Sequence, residues 1–204
     1  MARPNPLLRG FPTRVRLGGV EHPLGWRFSD CMPVILAYED EELTSEEQQE
    51  ILLRRLFPQP LPDRFREQAL MLALRFLDGG EGSGEESEED EPEEHVRLYS
   101  FTRDGGLVYS AFCGQYGIDL ARDELHWWAF LSLLNDLPPK CQFYQLLYLR
   151  DGYLRGTLSR EEEQLLERMG ESALPPSQPG DREREENARN FLNLLEGGGA
   201  YGII

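Results

Sequence analysis

The residues able to do chemistry are few and scattered. His22, His95 and His126 each stand alone, and Cys31, Cys113 and Cys141 are widely separated. A catalytic centre needs a nucleophile, a base and charge-stabilising donors brought together, and no local pattern supplies two of these. A metal centre from Cys113, His126 and Cys141 would require three distant segments to converge, with no Cys-x-x-Cys or His-x-x-x-His pair to begin it. Nucleophile elbows, phosphate-cradling loops and dinucleotide glycine patterns are absent, because the glycine-rich pieces sit at turns and ends and not between a strand and a helix. Residues 81–94 contain nine acidic residues and no basic one. They read as a disordered, solvated linker with nothing to hold two carboxylates as an acid and base pair. An acidic segment aimed at a basic partner is the other reading of them. The expectation is a protein with no catalytic residue, metal or cofactor, and not an enzyme.

Packing must then organise the chain, and one stretch, residues 119–137, dominates it. It carries two of the three tryptophans and the densest apolar content. Asp119 or Asp123 is expected to cap a helix there, and Pro138-Pro139 to end it. At about 100° per residue, His126 falls on the apolar side with Phe130, Leu133 and Leu137, and Trp127 falls with Leu131 and Leu134. Trp128 falls on a narrower polar sector beside Glu124, Ser132 and Asn135. The expected core around this helix is Phe112, Tyr116, Leu125, His126, Trp127, Phe130 and Leu134. Burial is the first reading for both tryptophans, with Trp128 the candidate for contact with another subdomain or protein. His126 reads as a buried, hydrogen-bonded structural histidine.

The remaining elements follow from local signals. Residues 1–10 are a loose N-terminus. Val15 and Leu17 alternate with arginines before Gly18-Gly19 and the run from Val20 to Leu24, which predicts a β-hairpin. Ser29 is expected to cap a short helix through Tyr38. Thr44-Ser-Glu-Glu47 is a capping box for a helix carrying Ile51, Leu52, Leu53 and Leu56. Pro62 opens another with Leu70, Met71, Leu74 and Leu77, stopped by Gly79-Gly80. Beyond the acidic linker, Asp104 is expected to cap a helix to Tyr116, with Gly117 and Ile118 as its left-handed stop. A helix from Cys141 to Arg150 stops at Asp151-Gly152, and Ser159-Arg-Glu-Glu162 boxes a further one with Leu165, Leu166 and Met169. Residues 171–180 read as linker. Ala188, Phe191, Leu192 and Leu195 recur at i, i+3, i+4, i+7 on a last helix. Docking on a partner and folding back on its own core are both open for it.

The fold class expected is mainly α: about six to eight helices with a small N-terminal β-hairpin and a disordered acidic linker. The expected division is a hairpin-plus-helical subdomain (11–80), the linker (81–95), a helical subdomain containing the Trp-Trp helix (96–170), and a linker with a C-terminal amphipathic helix (171–204). With 204 residues and a net charge of −16, the chain is a poor binder of nucleic-acid backbones and anionic membranes and a good one of basic partners. No apolar run reaches the roughly 20 residues that span a bilayer. Three distant cysteines fit a reducing compartment.

An ordered series of residues points to a family. Tyr109-Ser-Ala-Phe112, Tyr116-Gly-Ile-Asp-Leu120, Leu125-His-Trp-Trp-x-Phe130, Leu133-Leu134 and Leu137-Pro138 occur in turn, followed by Phe143 and Arg150. The series resembles the bacteriophage tail-module proteins labelled gp-fifteen, over roughly residues 11–170. The resemblance implies a phage tail-assembly protein, a chaperone binding the tape-measure protein before tail-tube polymerisation, with the tail-tube protein as a further possible partner. It implies action in the cytoplasm of the host bacterium and carries over no catalytic residue. A structural tail component kept in the virion and an acidic decoy of a host DNA-binding protein are the alternatives. Partner-binding residues are expected to be Trp128, Phe191, Leu192 and Leu195.

Overall fold

Glycines at positions 18 and 19, with φ of 55° and 83°, turn the chain between β1 (Arg14–Leu17) and β2 (Val20–Pro23), which pair antiparallel with Leu17 opposite Val20. Two consecutive positive φ values suit the right-handed twist of a two-residue hairpin. The alternation then separates the faces: Val15 and Leu17 are buried, while Arg14 and Arg16 reach Glu21 on the exposed side. The computed structural model describes residue 8 and residues 10–80 and 97–176. The acidic segment 81–94 and the C-terminal stripe at Ala188, Phe191, Leu192 and Leu195 lie outside the described residues.

Seven α-helices follow among the described residues, and with the hairpin they make a mainly α fold. They fall into two units. The first comprises described residues of 8–80 together with Glu124–Ser132, and the second residues 97–123 together with 133–176.

In the first unit, α1 (Phe28–Glu39) starts one residue before Ser29, because the Asp30 carboxylate accepts the Arg27 N–H at 3.2 Å and takes over the capping role expected of Ser29. The Thr44 capping box opens α2 (Ser45–Leu56) as its sequence requires: the Thr44 hydroxyl accepts from the Glu47 N–H, and the Glu47 carboxylate accepts from the Thr44 N–H. A single 3-10 turn (Asp63–Phe65) after Pro62 leads into α3 (Arg66–Leu77). The helix ends where the Gly80 N–H donates to the Arg75 carbonyl at 2.9 Å, with both Gly79 and Gly80 at positive φ.

In the second unit, α4 (Phe101–Tyr116) is capped by Ser100 and not by Asp104. Asp104 sits in the first turn and reaches back to the Ser100 N–H at 3.0 Å. Gly117 closes the helix in the left-handed region, with the Ile118 N–H on the Phe112 carbonyl. α6 (Gln142–Arg155) is a full turn longer than expected. Gly152 is no stop, being a buried close-approach residue at which a Cβ would come within 2.4 Å of the Leu158 side chain. The Ser159 box opens α7 (Arg160–Met169), and a 3-10 turn (Glu171–Ala173) occupies part of the expected 171–180 linker.

α5 (Trp127–Asn135) is shorter than expected at its N-terminus. Asp119 and Asp123 do not cap it. They close a local turn on each other, in which the Asp119 carbonyl accepts from the Asp123 N–H and the Asp123 carboxylate from the Asp119 N–H. Residues 125–127 instead run extended beside Trp26–Phe28: the Phe28 N–H donates to the Leu125 carbonyl and the Trp127 N–H to the Trp26 carbonyl, both at 2.8 Å. This pairing assigns the Trp-Trp segment to the first unit, against its expected place in the second. The partners are about a hundred residues away, and no periodicity within either segment announces them.

Candidate functional site

The Trp-Trp segment is a structural hub in the first unit. The last carbonyls of an α-helix have no partner inside the helix, and two of those at the end of α3 are taken by indoles. Trp127 donates from Nε1 to the Leu77 carbonyl and Trp128 from Nε1 to the Phe76 carbonyl, each at 2.8 Å. Trp128 stacks on Phe76 with ring centroids 5.6 Å apart. It is only 1% exposed, so it is no surface contact for a partner. Its polar-sector assignment failed because the helix begins at Trp127, and a first-turn side chain follows what lies ahead of the helix. A methyl group at Gly80 would come within 2.7 Å of the Trp128 ring; glycine is what lets the indole close over the end of α3.

His126 is half-buried, sandwiched between Phe11 and Trp26 with ring centroids at 4.9 and 5.3 Å. Its Nδ1 accepts the Trp128 N–H at 3.0 Å, the bond that an N-cap side chain makes to the second residue of a helix. The Pro12 carbonyl can only accept, so the opposite nitrogen, Nε2, carries the proton and donates to it at 3.0 Å. The ring is therefore neutral with both nitrogens engaged. Burial lowers its pKa below the ordinary histidine value, against a smaller opposing pull from the Pro12 carbonyl. Of the other expected core residues, Phe112, Trp127, Phe130 and Leu134 are buried, while Tyr116 and Leu125 are half-buried. Tyr116 donates its hydroxyl to the Leu133 carbonyl at 2.8 Å.

Reactive groups are spread out among the described residues. Cys31 is buried, donates its thiol to the Gly25 carbonyl, and has its pKa pushed up by burial and by Asp30. Cys141 caps α6, its sulfur accepting from the Tyr144 N–H. Tyr109 is pushed up to about 12 by hydrogen bonding to Cys113 and then to Asp119, which favours the neutral phenol. Among the described residues, no three His, Cys, Asp or Glu side chains group as a metal site would need.

The second unit is centred on Arg150, which is fully buried. Its five N–H donors meet five acceptors. Nε reaches the Ala173 carbonyl, Nη1 the Leu98 carbonyl and Asp104 Oδ2, and Nη2 Asp104 Oδ1 and the Ser172 carbonyl, all between 2.7 and 3.0 Å. A guanidinium has five donors in a rigid fork, so none is left over. Arg103, on α4 beside Asp104, gathers the carbonyls of Glu171, Ser172, Leu174 and Pro175. Two arginines thus bind residues 171–175 to α4 and α6. The resemblance had singled out Arg150, but its role was hidden because its partners come from three separate segments.

This framework displays an apolar face. α7 buries Leu166 against Leu146, Leu149 and Ala173, yet leaves Leu165 42% and Met169 44% exposed. On α6, Tyr144 and Tyr148, four residues apart, are 43% and 59% exposed. The two helices adjoin there. Glu162, held below the usual carboxylate range mainly by the Ser159 N–H and hydroxyl, also receives the Tyr148 hydroxyl, and it precedes Leu165 by three residues on the same face of α7. Glu161 and Glu162, four and three residues before Leu165, stand on the same side of α7 as Leu165 and Met169. Tyr144 and Tyr148 went unnoticed in the sequence. Their i, i+4 spacing was the available signal, but exposure depends on which face the buried arginine selects. Phe191, Leu192 and Leu195 lie outside the described residues, so their expected role in binding has no geometry here.

A family model described as Bacteriophage Gp15 protein matches residues 10–173. No curated protein and no solved structure matches the chain.

Proposed function

The chain belongs to the bacteriophage Gp15 protein family, and from that premise we propose that it is a phage tail-assembly chaperone. It binds the tape-measure protein before tail-tube polymerisation, in the cytoplasm of the host bacterium, and does no catalysis of its own. The observation that carries this reading is the exposed face of Tyr144, Tyr148, Leu165 and Met169 on a helical scaffold held by Arg150. A tape-measure protein is a long helix whose apolar stripes need cover until tube subunits enclose it. An open aromatic and aliphatic face receives such a stripe through anchors at i, i+3, i+4 and i+7. Tyrosine supplies large contact area at low entropic cost, and methionine adapts to varied shapes. The net charge of −16 keeps the complex soluble and favours basic residues beside the stripe.

Co-expression with the tape-measure protein of the same phage is the test. The chaperone should keep it soluble and co-purify with it. Tyr148→Ala combined with Leu165→Glu should remove co-purification while leaving the far-UV circular dichroism spectrum unchanged, since central anchors of an interface cost about 2 kcal/mol or more each. Retention of the complex in that variant rejects this face as the binding surface. A tape measure that stays insoluble with the wild-type chain rejects the chaperone reading. Mass spectrometry of purified particles separates the structural alternative, because a chaperone should be scarce there and a tail component present at fixed stoichiometry.

A further inference from the structure

We propose that a second copy of this chain covers the exposed face of α6 and α7, related to the first by a two-fold axis that passes α7 at Leu165. The two copies then form a reversible dimer, and a partner for this face must displace the second copy to reach it. The dimer does not rest on the chaperone reading; the displacement does.

The charges around Leu165 argue for this occupant. Side chains three and four residues apart stand on one side of a helix, so Glu161 and Arg168 flank Leu165 on its exposed side, one toward each end of α7. Both are exposed, and neither has an ion pair among the described residues; Arg168 reaches only the Gln164 carbonyl of its own helix. They stand about 10 Å apart along the axis, and no bond joins them. Glu162 lies on the same side but is engaged by Ser159 and Tyr148. Arg160, Glu163 and Glu167 fall on the opposite side of the helix at about 100° per residue. A two-fold interface brings one patch against itself in reverse, so each end must fit the other. Reversed about Leu165, Glu161 of each copy meets Arg168 of the other, and Leu165 and Met169 meet between these two pairs.

The apolar part of the face suits the same arrangement. Only Leu166 of the apolar side of α7 is buried, and Tyr144 and Tyr148 continue the uncovered patch on α6. Two such helix pairs set face to face bury these side chains as a four-helix bundle does. The fourteen residues of α6 make a helix about 21 Å long, so two adjacent helices offer a face of about 400 Å². That is about half the area a standard interface buries on each side, which fits a dimer that yields to a partner. The net charge of −16 opposes self-association at long range, but nine of the acidic residues lie in residues 81–94. On the face itself Glu161 and Arg168 balance, and a second copy in reverse satisfies both at once.

Sedimentation equilibrium on the full-length chain, without any partner, is the test. The wild type should pass from monomer to dimer between about 1 and 300 μM, the range in which a small interface associates. Glu161→Arg sets like charges together at both symmetry-related contacts and should weaken the dimer at least about ten-fold. Arg168→Glu should do the same. The two substitutions together restore opposite charges and should bring the dissociation constant back to within about three-fold of the wild type. That recovery also separates a lost contact from a misfolded variant, since a folding defect would add and not cancel. A wild type that stays monomeric throughout overturns the proposal. So does a dimer that ignores both single substitutions, or one that the double variant fails to recover. Glu161→Arg leaves Tyr148 and Leu165 in place, so this monomeric variant should bind the tape-measure protein at least as tightly as the wild type. A dimer that follows the charge pairs, with no tape-measure binding, rejects only the chaperone reading. Tape-measure binding by a wild type that is monomeric throughout rejects only the dimer.

Discussion

The two units of this protein are held by opposite kinds of hub. In the first, neutral rings carry the load: the two indoles close the end of α3, and a neutral His126 caps α5 and holds Pro12. In the second, one buried cation satisfies a carboxylate and three main-chain carbonyls. Stacked rings lose energy in proportion to what is removed. A buried ion pair fails abruptly, because removing one member strands the other charge. The second unit should thus be the more brittle to single substitutions, and the first the more sensitive to mild acid.

Arg150→Met should give the largest effect, a loss of about 3–5 kcal/mol, because Asp104 stays buried without its partner. Adding Asp104→Leu should restore little, since the carbonyls of Leu98 and Ala173 would still lack the donors that Arg150 gave them. Full recovery in the double variant would reduce the hub to a simple pair. All three tryptophans lie in the first unit, so the comparison can be read by spectroscopy. Arg150→Met should shift the circular dichroism melting transition more than the tryptophan fluorescence transition, and identical shifts would erase the distinction between the units. Trp128→Phe is milder. It keeps the stacking on Phe76 but removes the indole hydrogen bond to that residue's carbonyl, which retains the Gly79 N–H, at a cost of about 0.5–1.5 kcal/mol, and fluorescence-detected denaturation should show it.

Smaller effects sharpen the same contrast. Thr44→Ala and Ser159→Ala each remove the hydroxyl of an exposed capping box, one in each unit, and should each cost about 1 kcal/mol. Similar costs would show that the units differ in their hubs and not in their local helix signals. Acid gives the last test. The folded pKa of His126 lies below its unfolded value near 6.5, so on acidification the unfolded chain takes up the proton first. The contribution of the neutral ring is complete above about pH 6.5 and is lost as pH falls through the folded pKa. The fluorescence midpoint should therefore be lower at pH 5.5 than at pH 7.5. His126→Asn, whose side-chain oxygen can still cap α5, should flatten that dependence; an unchanged slope would remove His126 as its cause.

What was readable in advance follows from how local each cause is. The Thr44 and Ser159 boxes, the Gly18-Gly19 turn and the Gly117 stop all fell where expected, because each involves residues within a few positions of one another. Ser29, Asp104 and the Asp119–Asp123 pair were plausible caps, yet each was displaced by a neighbour or a turn with a better-placed donor or acceptor. Residues 171–176 looked like linker because their composition is polar and proline-rich. Their order comes from Arg103 and Arg150, which donate to main-chain carbonyls that composition does not reveal. Gly152 looked like a terminator and proved to be a contact surface for Leu158.

The sequence by itself determined that this is a mainly α chain, where its hairpin and capping boxes lie, and, through an ordered run of residues, which family it joins. Periodicity and hydrogen-bond chemistry within a turn or two suffice for the elements. Only the tertiary structure decided that Trp128 closes over the end of α3, that the Trp-Trp segment belongs with the N-terminal helices, and that Arg150 sits at the centre of the second unit. Those outcomes depend on donors meeting acceptors 22 to 114 residues away in the chain. The exposed face of α6 and α7 belongs with them, because a helix shows its open side only after its buried side has been chosen.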